Sequence, residues 1–237
     1  MSASKPRREI ETVLLDAGGV LLDLDYGYLR RLIRAQRVDV EPDQLSRFEA
    51  IARKEIHDHV ANGGRVSESW RDYFHIILGH AGVASDAQAA LIDTLWEAHE
   101  RFGLWTVAID GGPETVALLK RAGFRIGVVS NAEGRVARDL DSAGYEGMFE
   151  TVVDSHLVGV EKPDPGIFHI ALERMGARAE SAVFLGDVPA VDVVGAHAAG
   201  VKPILLDRHD LYGEIEAERL HSIRELPGYL GASPEEA

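Results

Sequence analysis

The chain has 237 residues, enough for one sizeable hydrophobic core and a second, smaller one. Its hydrophobic fraction of 46% and charged fraction of 27% are typical of folded proteins and exclude a disordered or fibrous chain. The formal net charge of −14 argues against a nucleic-acid or anionic-membrane partner, because either would require a basic face.

Cysteine is absent, which excludes disulfide bonds, thiolate metal sites and a cysteine nucleophile. The first residues, M-S-A-S-K-P-R-R-E, lack the long apolar run of a signal peptide. No stretch approaches the roughly 20 apolar residues that a membrane helix needs. We therefore expect a cytoplasmic protein with no membrane partner.

Short apolar runs, each followed by turn residues, predict the strands of a sheet. Unbroken runs of β-branched residues and leucine indicate strands that are buried on both faces, as in a parallel sheet. The predicted strands are, in chain order, 12–15, 124–129, 151–153, 182–185 and 203–206.

Amphipathic segments lie between the later strands and predict helices. Alternation of strand and helix implies right-handed crossovers. The predicted fold is therefore α/β, a doubly wound and mostly parallel sheet of the Rossmann-like kind. The first helix of this part is predicted to begin at Pro113 and to end before Gly123. The others are predicted at 133–143, 165–175 and 189–199.

Residues 26–107 interrupt this alternation, since they contain amphipathic stretches and no strand-like run. They predict a small helical domain inserted after the first strand. Ligands bind at the carboxyl edge of such sheets, so the insert is expected to act as a cap over the site. The catalytic core then comprises residues 1–25 and 108–237. The helices predicted in the cap are 28–37, 43–61, 67–80 and 86–102.

Polar residues follow most of the predicted strands. The carboxyl ends of parallel strands meet at one edge of the sheet, so these side chains are expected to converge. Carboxylate oxygens suit Mg²⁺, a lysine can balance phosphate charge, and a carboxylate can also act as a covalent nucleophile. The residues concerned are Asp16, Ser130, Asn131, Lys162, Asp187 and Asp192.

Four segments of this sequence, in this order, resemble the haloacid dehalogenase-like hydrolase superfamily. The resemblance covers the sheet domain, about residues 10–25 and 108–210, and the helical insert matches the family's cap only by position and class. The matching segments are L-L-D-A-G-G-V-L at 14–21, V-V-S-N at 128–131, V-E-K-P-D-P at 160–165 and F-L-G-D-V-P-A-V-D at 184–192.

The resemblance implies a role for each matching residue at the phosphoryl group. Asp16 would attack phosphorus and form an aspartyl-phosphate. Ser130, with Asn131, and Lys162 would bind the oxygens of the transferring phosphoryl group.

The resemblance also implies a Mg²⁺ site. Asp16 and Asp187 would bind the ion, and Asp192 would support it directly or through water. The backbone carbonyl of Gly18 would be a further metal ligand, a role that needs no side chain.

Gly18 departs from the pattern of the family's phosphatases, which carry there an aspartate that acts as general acid and base. Such assistance is typically worth about 10²–10⁴ in rate, a small part of the total acceleration, so a slow phosphatase is compatible with its loss. Asp23 and Asp25 are nearby carboxylates that could replace this acid, but Asp23 stands where the family commonly has a helix-capping aspartate, so the resemblance implies that it caps the following helix.

The leading hypothesis is a Mg²⁺-dependent phosphatase that acts on a small phosphorylated metabolite, as a monomer or homodimer. Two alternatives stay open. One is a 2-haloacid dehalogenase, whose chemistry also begins with an attacking aspartate but uses no metal. The other is a catalytically weak phosphate-binding module. Trp70, Trp96 and Trp105 are expected to be core residues, and the alternative is that one of them faces the substrate.

Overall fold

The structure, a computed structural model, describes residues 9–65 and 70–232. The elements in chain order are β1 (Thr12–Leu15), β2 (Leu22–Leu24), α1 (Tyr26–Ala35), α2 (Pro42–Ala61), α3 (Trp70–His80), α4 (Ser85–Phe102), β3 (Trp105–Ala108), α5 (Gly112–Arg121), β4 (Arg125–Ser130), α6 (Val136–Leu140), β5 (Thr151–Asp154), α7 (Ser155–Val158), α8 (Gly166–Met175), β6 (Ala182–Gly186), α9 (Asp192–Ala198), β7 (Lys202–Leu206), β8 (Glu218–Leu220) and α10 (Leu226–Tyr229).

Six strands form the main sheet, in the order β5-β4-β1-β6-β7-β8. Every neighbouring pair in it is parallel, and Thr12 of β1 lies opposite Arg125 of β4 on one side and Ala182 of β6 on the other. The predicted doubly wound α/β sheet is confirmed. The apolar runs placed each predicted strand within about one residue of its observed bounds, while β8 was not predicted.

The main sheet is buried on both faces, as its unbroken apolar strands predict. Along β1, Val13 and Leu15 pack into one cluster with helix α5, and Leu14 packs into the other with Phe168 and Phe184. This two-sided burial fixes the height and direction of β1, and hence of the residue that follows it.

Helices α1–α4, here called the helical insert, lie between β2 and β3 and have a core of their own, which includes Leu29, Ile33, Phe74 and Leu95. Helix α2 starts with Pro42 at its first position and a reciprocal capping box between Glu41 and Gln44. The division of the chain at residues 26 and 107 stays a prediction. Residues 67–69 of the predicted third helix lie outside the described residues.

The expectation that the insert contains no strand was wrong at its end. Strand β3 pairs with β2 in a separate antiparallel ribbon, with Leu22 opposite Ala108 and Leu24 opposite Trp105. Two strands of three and four residues give too short a pattern to be read as alternation, although W-T-V is rich in residues that favour strands.

The expectation that Asp23 caps helix α1 was also wrong. The cap is Asp25, whose side chain accepts a hydrogen bond of 2.7 Å from the backbone N–H of Tyr28. Asp23 belongs to β2 and pairs with Arg208 at 2.6 Å. Because β2 runs to Leu24 and α1 begins at Tyr26, Asp23 lies inside a strand and the capping position falls to Asp25.

Two helices of the core are shorter than predicted. Helix α6 is followed by a π-helical turn over Asp141–Tyr145, in which Gly144 has a φ of 95°, and α9 begins only at Asp192. Within the described part of the chain, no helix combines the length and the hydropathy that crossing a bilayer requires. The chain end that was expected to fray, 233–237, lies outside the described residues.

Candidate active site

Three aspartates meet at the carboxyl edge of the main sheet. Asp16 follows β1 and donates its backbone N–H to Leu185 of the adjacent strand β6, which places it next to Asp187. Carboxylate oxygens of Asp16, Asp187 and Asp192 all lie within 4.8 Å of one another. The neighbouring positions of β1 and β6 in the sheet thus bring together residues about 170 positions apart in sequence.

Lys162 lies inside this acidic cluster. Its Nζ is 2.8 Å from Asp16 Oδ2 and 2.7 Å from Asp192 Oδ1, and the residue is only 1% exposed. Burial alone would lower the pKa of Lys162, but the two carboxylates outweigh it and raise that pKa above its usual value. The lysine therefore stays charged, and two of its three N–H groups are engaged by the aspartates.

Asp192 and Asn131 hold the loops that carry the acidic cluster. Asp192 Oδ2 accepts hydrogen bonds of 2.9 Å from the backbone N–H groups of Asp187 and Val188. The Asn131 side chain accepts from the backbone N–H of Lys162 at 2.7 Å and donates to its carbonyl at 3.0 Å. Both polar atoms of the Asn131 amide are thus used to position Lys162.

The cluster holds more negative charge than Lys162 balances. Burial raises the pKa of Asp16, against the opposing effect of Lys162. Burial, opposed by Arg53 and reinforced by Asp192 and Asp16, raises the pKa of Asp187 to about 7. Asp187 Oδ2 is buried and accepts no hydrogen bond from any described residue, although Arg53 Nε lies 3.1 Å away without hydrogen-bond geometry. An under-neutralised group of hard oxygen donors fits a small divalent cation such as Mg²⁺.

Gly19 and Gly18 shape the space in front of the aspartates. Gly19 has a φ of 78°, and a Cβ there would lie 2.2 Å from Asp187 Oδ2, so only glycine fits. At Gly18 a Cβ would make ordinary contact with Trp105, whose Cδ1 would be 3.7 Å away. Gly18 lines the cavity described below, and its carbonyl as a metal ligand stays a prediction.

The predicted phosphate-binding residues are not all equally placed. Lys162 and Asn131 line the cavity in front of Asp16. Ser130 ends β4, is only 4% exposed, and is not among the described residues that line this cavity. Its role in phosphate binding stays a prediction.

Sequence reasoning missed a buried ion pair that the helical insert brings to the site. Glu49 and Arg53 of α2 lie one turn apart, 2.5 Å from each other, and Glu49 also accepts hydrogen bonds from Tyr26, Tyr73 and Trp105. Burial opposes ionisation of Glu49, but Arg53 and the two tyrosine hydroxyls lower its pKa below the usual value. A Glu–Arg pair at this spacing is common on solvent-exposed helix faces, so the sequence gives no signal for its burial.

Helix α2 also contacts the segment between β6 and α9 through His57. The backbone N–H of Ala190 donates a hydrogen bond of 3.0 Å to His57 Nδ1. Arg53 and His57 are neighbours on one face of α2, so a single helix face contacts the segment between β6 and α9.

A cavity of about 600 Å³ lies between the helical insert and the carboxyl edge of the sheet. The expectation that the tryptophans belong to the core holds in part: Trp70 and Trp105 pack against the core of the insert, but Trp70, Trp96 and Trp105 all line the cavity as well. The insert therefore forms the wall that faces the acidic cluster.

A parallel α/β sheet with a lysine-bridged acidic cluster at its carboxyl edge, enclosed by an inserted helical unit, defines an enzyme with a carboxylate-based site. Residues 10–200 match the family model described as haloacid dehalogenase-like hydrolase. The chain belongs to this family and is a hydrolase.

Individual relatives agree with this assignment. A phosphoserine phosphatase of Thermus thermophilus is 33% identical over 139 residues, 57% of this chain and 53% of that protein. Haloacid dehalogenase-like hydrolase domain-containing protein 3 of Danio rerio is 32% identical over 210 residues, 81% of this chain and 84% of that protein. Among solved structures, a dehalogenase with an intermediate complex shares the fold, with a TM-score of 0.67 and 20% identity over 96% of this chain and all of that one.

Proposed function

We propose that this hydrolase is a Mg²⁺-dependent phosphatase that acts on a small phosphorylated metabolite. The observation that carries the proposal is the cluster itself: three carboxylates within 4.8 Å of one another, with Lys162 between Asp16 and Asp192. Phosphatases among the relatives, such as the phosphoserine phosphatase, support the same chemistry.

Asp16 is the nucleophile in this proposal. Its Oδ1 accepts a hydrogen bond of 2.7 Å from the N–H of Ala17 and its Oδ2 faces Lys162, so the carboxylate is fixed in direction before substrate arrives. An Asp16 oxygen forms a bond to phosphorus as the bond from phosphorus to the alcohol oxygen breaks, and the departing alkoxide takes a proton from solvent water. Water then attacks the aspartyl-phosphate and releases inorganic phosphate, which regenerates the carboxylate.

The surrounding residues bind charge. Lys162 keeps one N–H for a phosphoryl oxygen after its two bonds to the aspartates. Asp16, Asp187 and the carbonyl of Gly18 would hold Mg²⁺, which supplies positive charge for the phosphoryl oxygens. Because both Asp192 oxygens already accept hydrogen bonds, its contacts favour support of the site through Lys162 and the 187–188 backbone.

Metal dependence separates this proposal from dehalogenation. A panel of phosphate monoesters should be turned over in Mg²⁺, and turnover should be lost in EDTA and restored by excess Mg²⁺. A 2-haloacid assayed in parallel should release no chloride in either condition. Chloride release in EDTA together with inert phosphate esters would identify a dehalogenase instead.

Gly18 offers a second test, because the family's acid–base carboxylate can be put back. The Gly18→Asp variant should hydrolyse alkyl phosphates, whose alcohols leave poorly, faster by up to about 10²–10⁴-fold. Aryl phosphates, which need little acid assistance, should gain much less. A Gly18→Asn variant, similar in size but without the acid, is the control. Equal rates for the two variants would show that no general acid is missing at this position.

A further inference from the structure

The cavity is much larger than a phosphoryl group requires. Its volume of about 600 Å³ lies in the range that accommodates ligands of many atoms. Asp16, Lys162, Asp187 and Asp192 are among the residues that line it, so a phosphoryl group bound there would leave space for the leaving group of the substrate.

Flat rings form a continuous wall that runs away from the acidic cluster. Trp105 is next to Gly18, and the ring of His99 lies edge-on to Trp105 at 5.6 Å. Trp70 and Trp96 follow, at 6.0 and 5.9 Å from His99, and contact each other edge to face at 4.8 Å. Trp96 is 39% exposed, although large aromatic side chains are normally buried. A wall of this kind binds flat apolar surface at low entropic cost.

Two arginines of the cavity lining, Arg65 and Arg135, are already paired with carboxylates. Arg135 contacts Asp139 at 3.3 Å and His99 at 2.9 Å, and Arg65 contacts Glu161 at 3.3 Å. A second phosphate or carboxylate on the substrate would compete with these carboxylates for the two arginines. The pairing therefore favours an uncharged leaving group.

We infer that the alcohol released by this enzyme carries a flat, uncharged aromatic or heteroaromatic ring, which packs against Trp96 and Trp105. The inference rests on the proposed phosphatase function and names the substrate class of that site. Trp96 is its specificity-determining residue, because its ring is the most exposed of the cavity's large hydrophobic side chains.

Three primary alkyl monoesters test the inference by turnover: benzyl phosphate, glycerol phosphate and glucose 6-phosphate. All three are cleaved at a primary ester. The alcohols differ, since benzyl alcohol has an aromatic ring, glucose a hydroxylated sugar ring and glycerol no ring. We expect kcat/KM for benzyl phosphate to exceed both others by at least about tenfold. A preference for glucose 6-phosphate or glycerol phosphate would overturn the inference.

Variants of α4 locate the preference. Trp96→Ala should lower the ratio of kcat/KM for benzyl phosphate to that for glycerol phosphate, and Trp96→Phe, which keeps a ring, should restore part of it. The control is Phe102→Ala on the same helix, since Phe102 is 48% exposed, contacts Tyr28 and is not among the described residues lining the cavity. Equal ratios in wild type and Trp96→Ala would contradict the role of Trp96.

Binding can be measured without turnover, because all three tryptophans of the chain line this cavity. Benzylphosphonate, which cannot be hydrolysed at its P–C bond, should quench the intrinsic tryptophan fluorescence, and methylphosphonate should do so weakly. Quenching by benzylphosphonate with no turnover of any ester would refute the phosphatase and keep the ring site. Turnover of all three esters without ring preference or quenching would support the phosphatase and refute the ring site.

Discussion

Asp16→Asn should reduce the turnover of phosphate monoesters in Mg²⁺ by at least about 10³-fold, because an amide can neither attack phosphorus nor bind the cation as a carboxylate does. The substitution is nearly isosteric and keeps an oxygen for the hydrogen bond from Ala17. Steady-state release of inorganic phosphate measures the loss, and acid quenching should show phosphate attached to the wild-type protein alone.

The matched control is Asp25→Asn. Asp25 caps α1, where asparagine is an equally good cap, and it is not among the described residues that line the cavity. This variant should keep wild-type turnover. Unchanged activity of Asp16→Asn, with a circular dichroism spectrum like that of wild type, would remove Asp16 from the reaction.

Lys162→Met should have the largest effect on stability. The lysine is 1% exposed between Asp16 and Asp192, so its replacement leaves two buried carboxylates without their cation. Breaking such a buried pair typically costs about 3–5 kcal/mol of unfolding free energy. Urea unfolding of the metal-free proteins at neutral pH measures the difference, and turnover should be lost as well.

The loss of unfolding free energy in Lys162→Met should depend on pH, and the direction of that dependence can be stated. Burial already raises the pKa of Asp16 in the wild type, and removal of Lys162 should raise it further. A carboxyl whose folded pKa is raised contributes stability below its unfolded pKa and loses it as the pH rises through its folded pKa. The deficit of Lys162→Met should therefore shrink as the pH is lowered from neutral.

Lys54→Met is the control for that comparison. Lys54 pairs with Asp58 at 2.8 Å, but both side chains are more than 40% exposed, so solvent screens the pair. Its loss should change the unfolding free energy by no more than about 0.5 kcal/mol at any pH. Equal effects of the two substitutions would show that Lys162 is not a buried counter-ion.

The strand ends of the site could be predicted because a local signal, the apolar run, agrees with a general rule of parallel sheets. Apolar runs define β1 and β6, and parallel pairing brings Asp16 and Asp187 to one edge whatever the connections between them. The same rule does not say how a side chain is used. The sequence does not indicate that the Asn131 amide bonds to the backbone of Lys162, while its predicted role in phosphate binding stays a prediction.

The contribution of the helical insert could not be predicted, since it depends on how the helices are seated on the sheet. The spacing of Glu49 and Arg53 is that of a surface pair, and only the packing of α2 buries it. Trp70 packs against the core of the insert and Trp96 packs against Trp70, yet both also line the cavity. A sequence pattern shows that a residue lies on the inner face of a helix. It does not show whether that face meets packed core or a cavity.

The ribbon of β2 and β3 determines how the two parts of the molecule are joined. The chain leaves the sheet and returns to it through strands that are hydrogen-bonded side by side, and Asp23 ties this ribbon to Arg208 in the loop after β7. Because the two crossings lie side by side, the helical insert joins the sheet at one place, and it contacts the 187–190 segment separately through Arg53 and His57. A substitution that shifts the ribbon is therefore expected to change the position of Arg53 and the charge that it places beside Asp187.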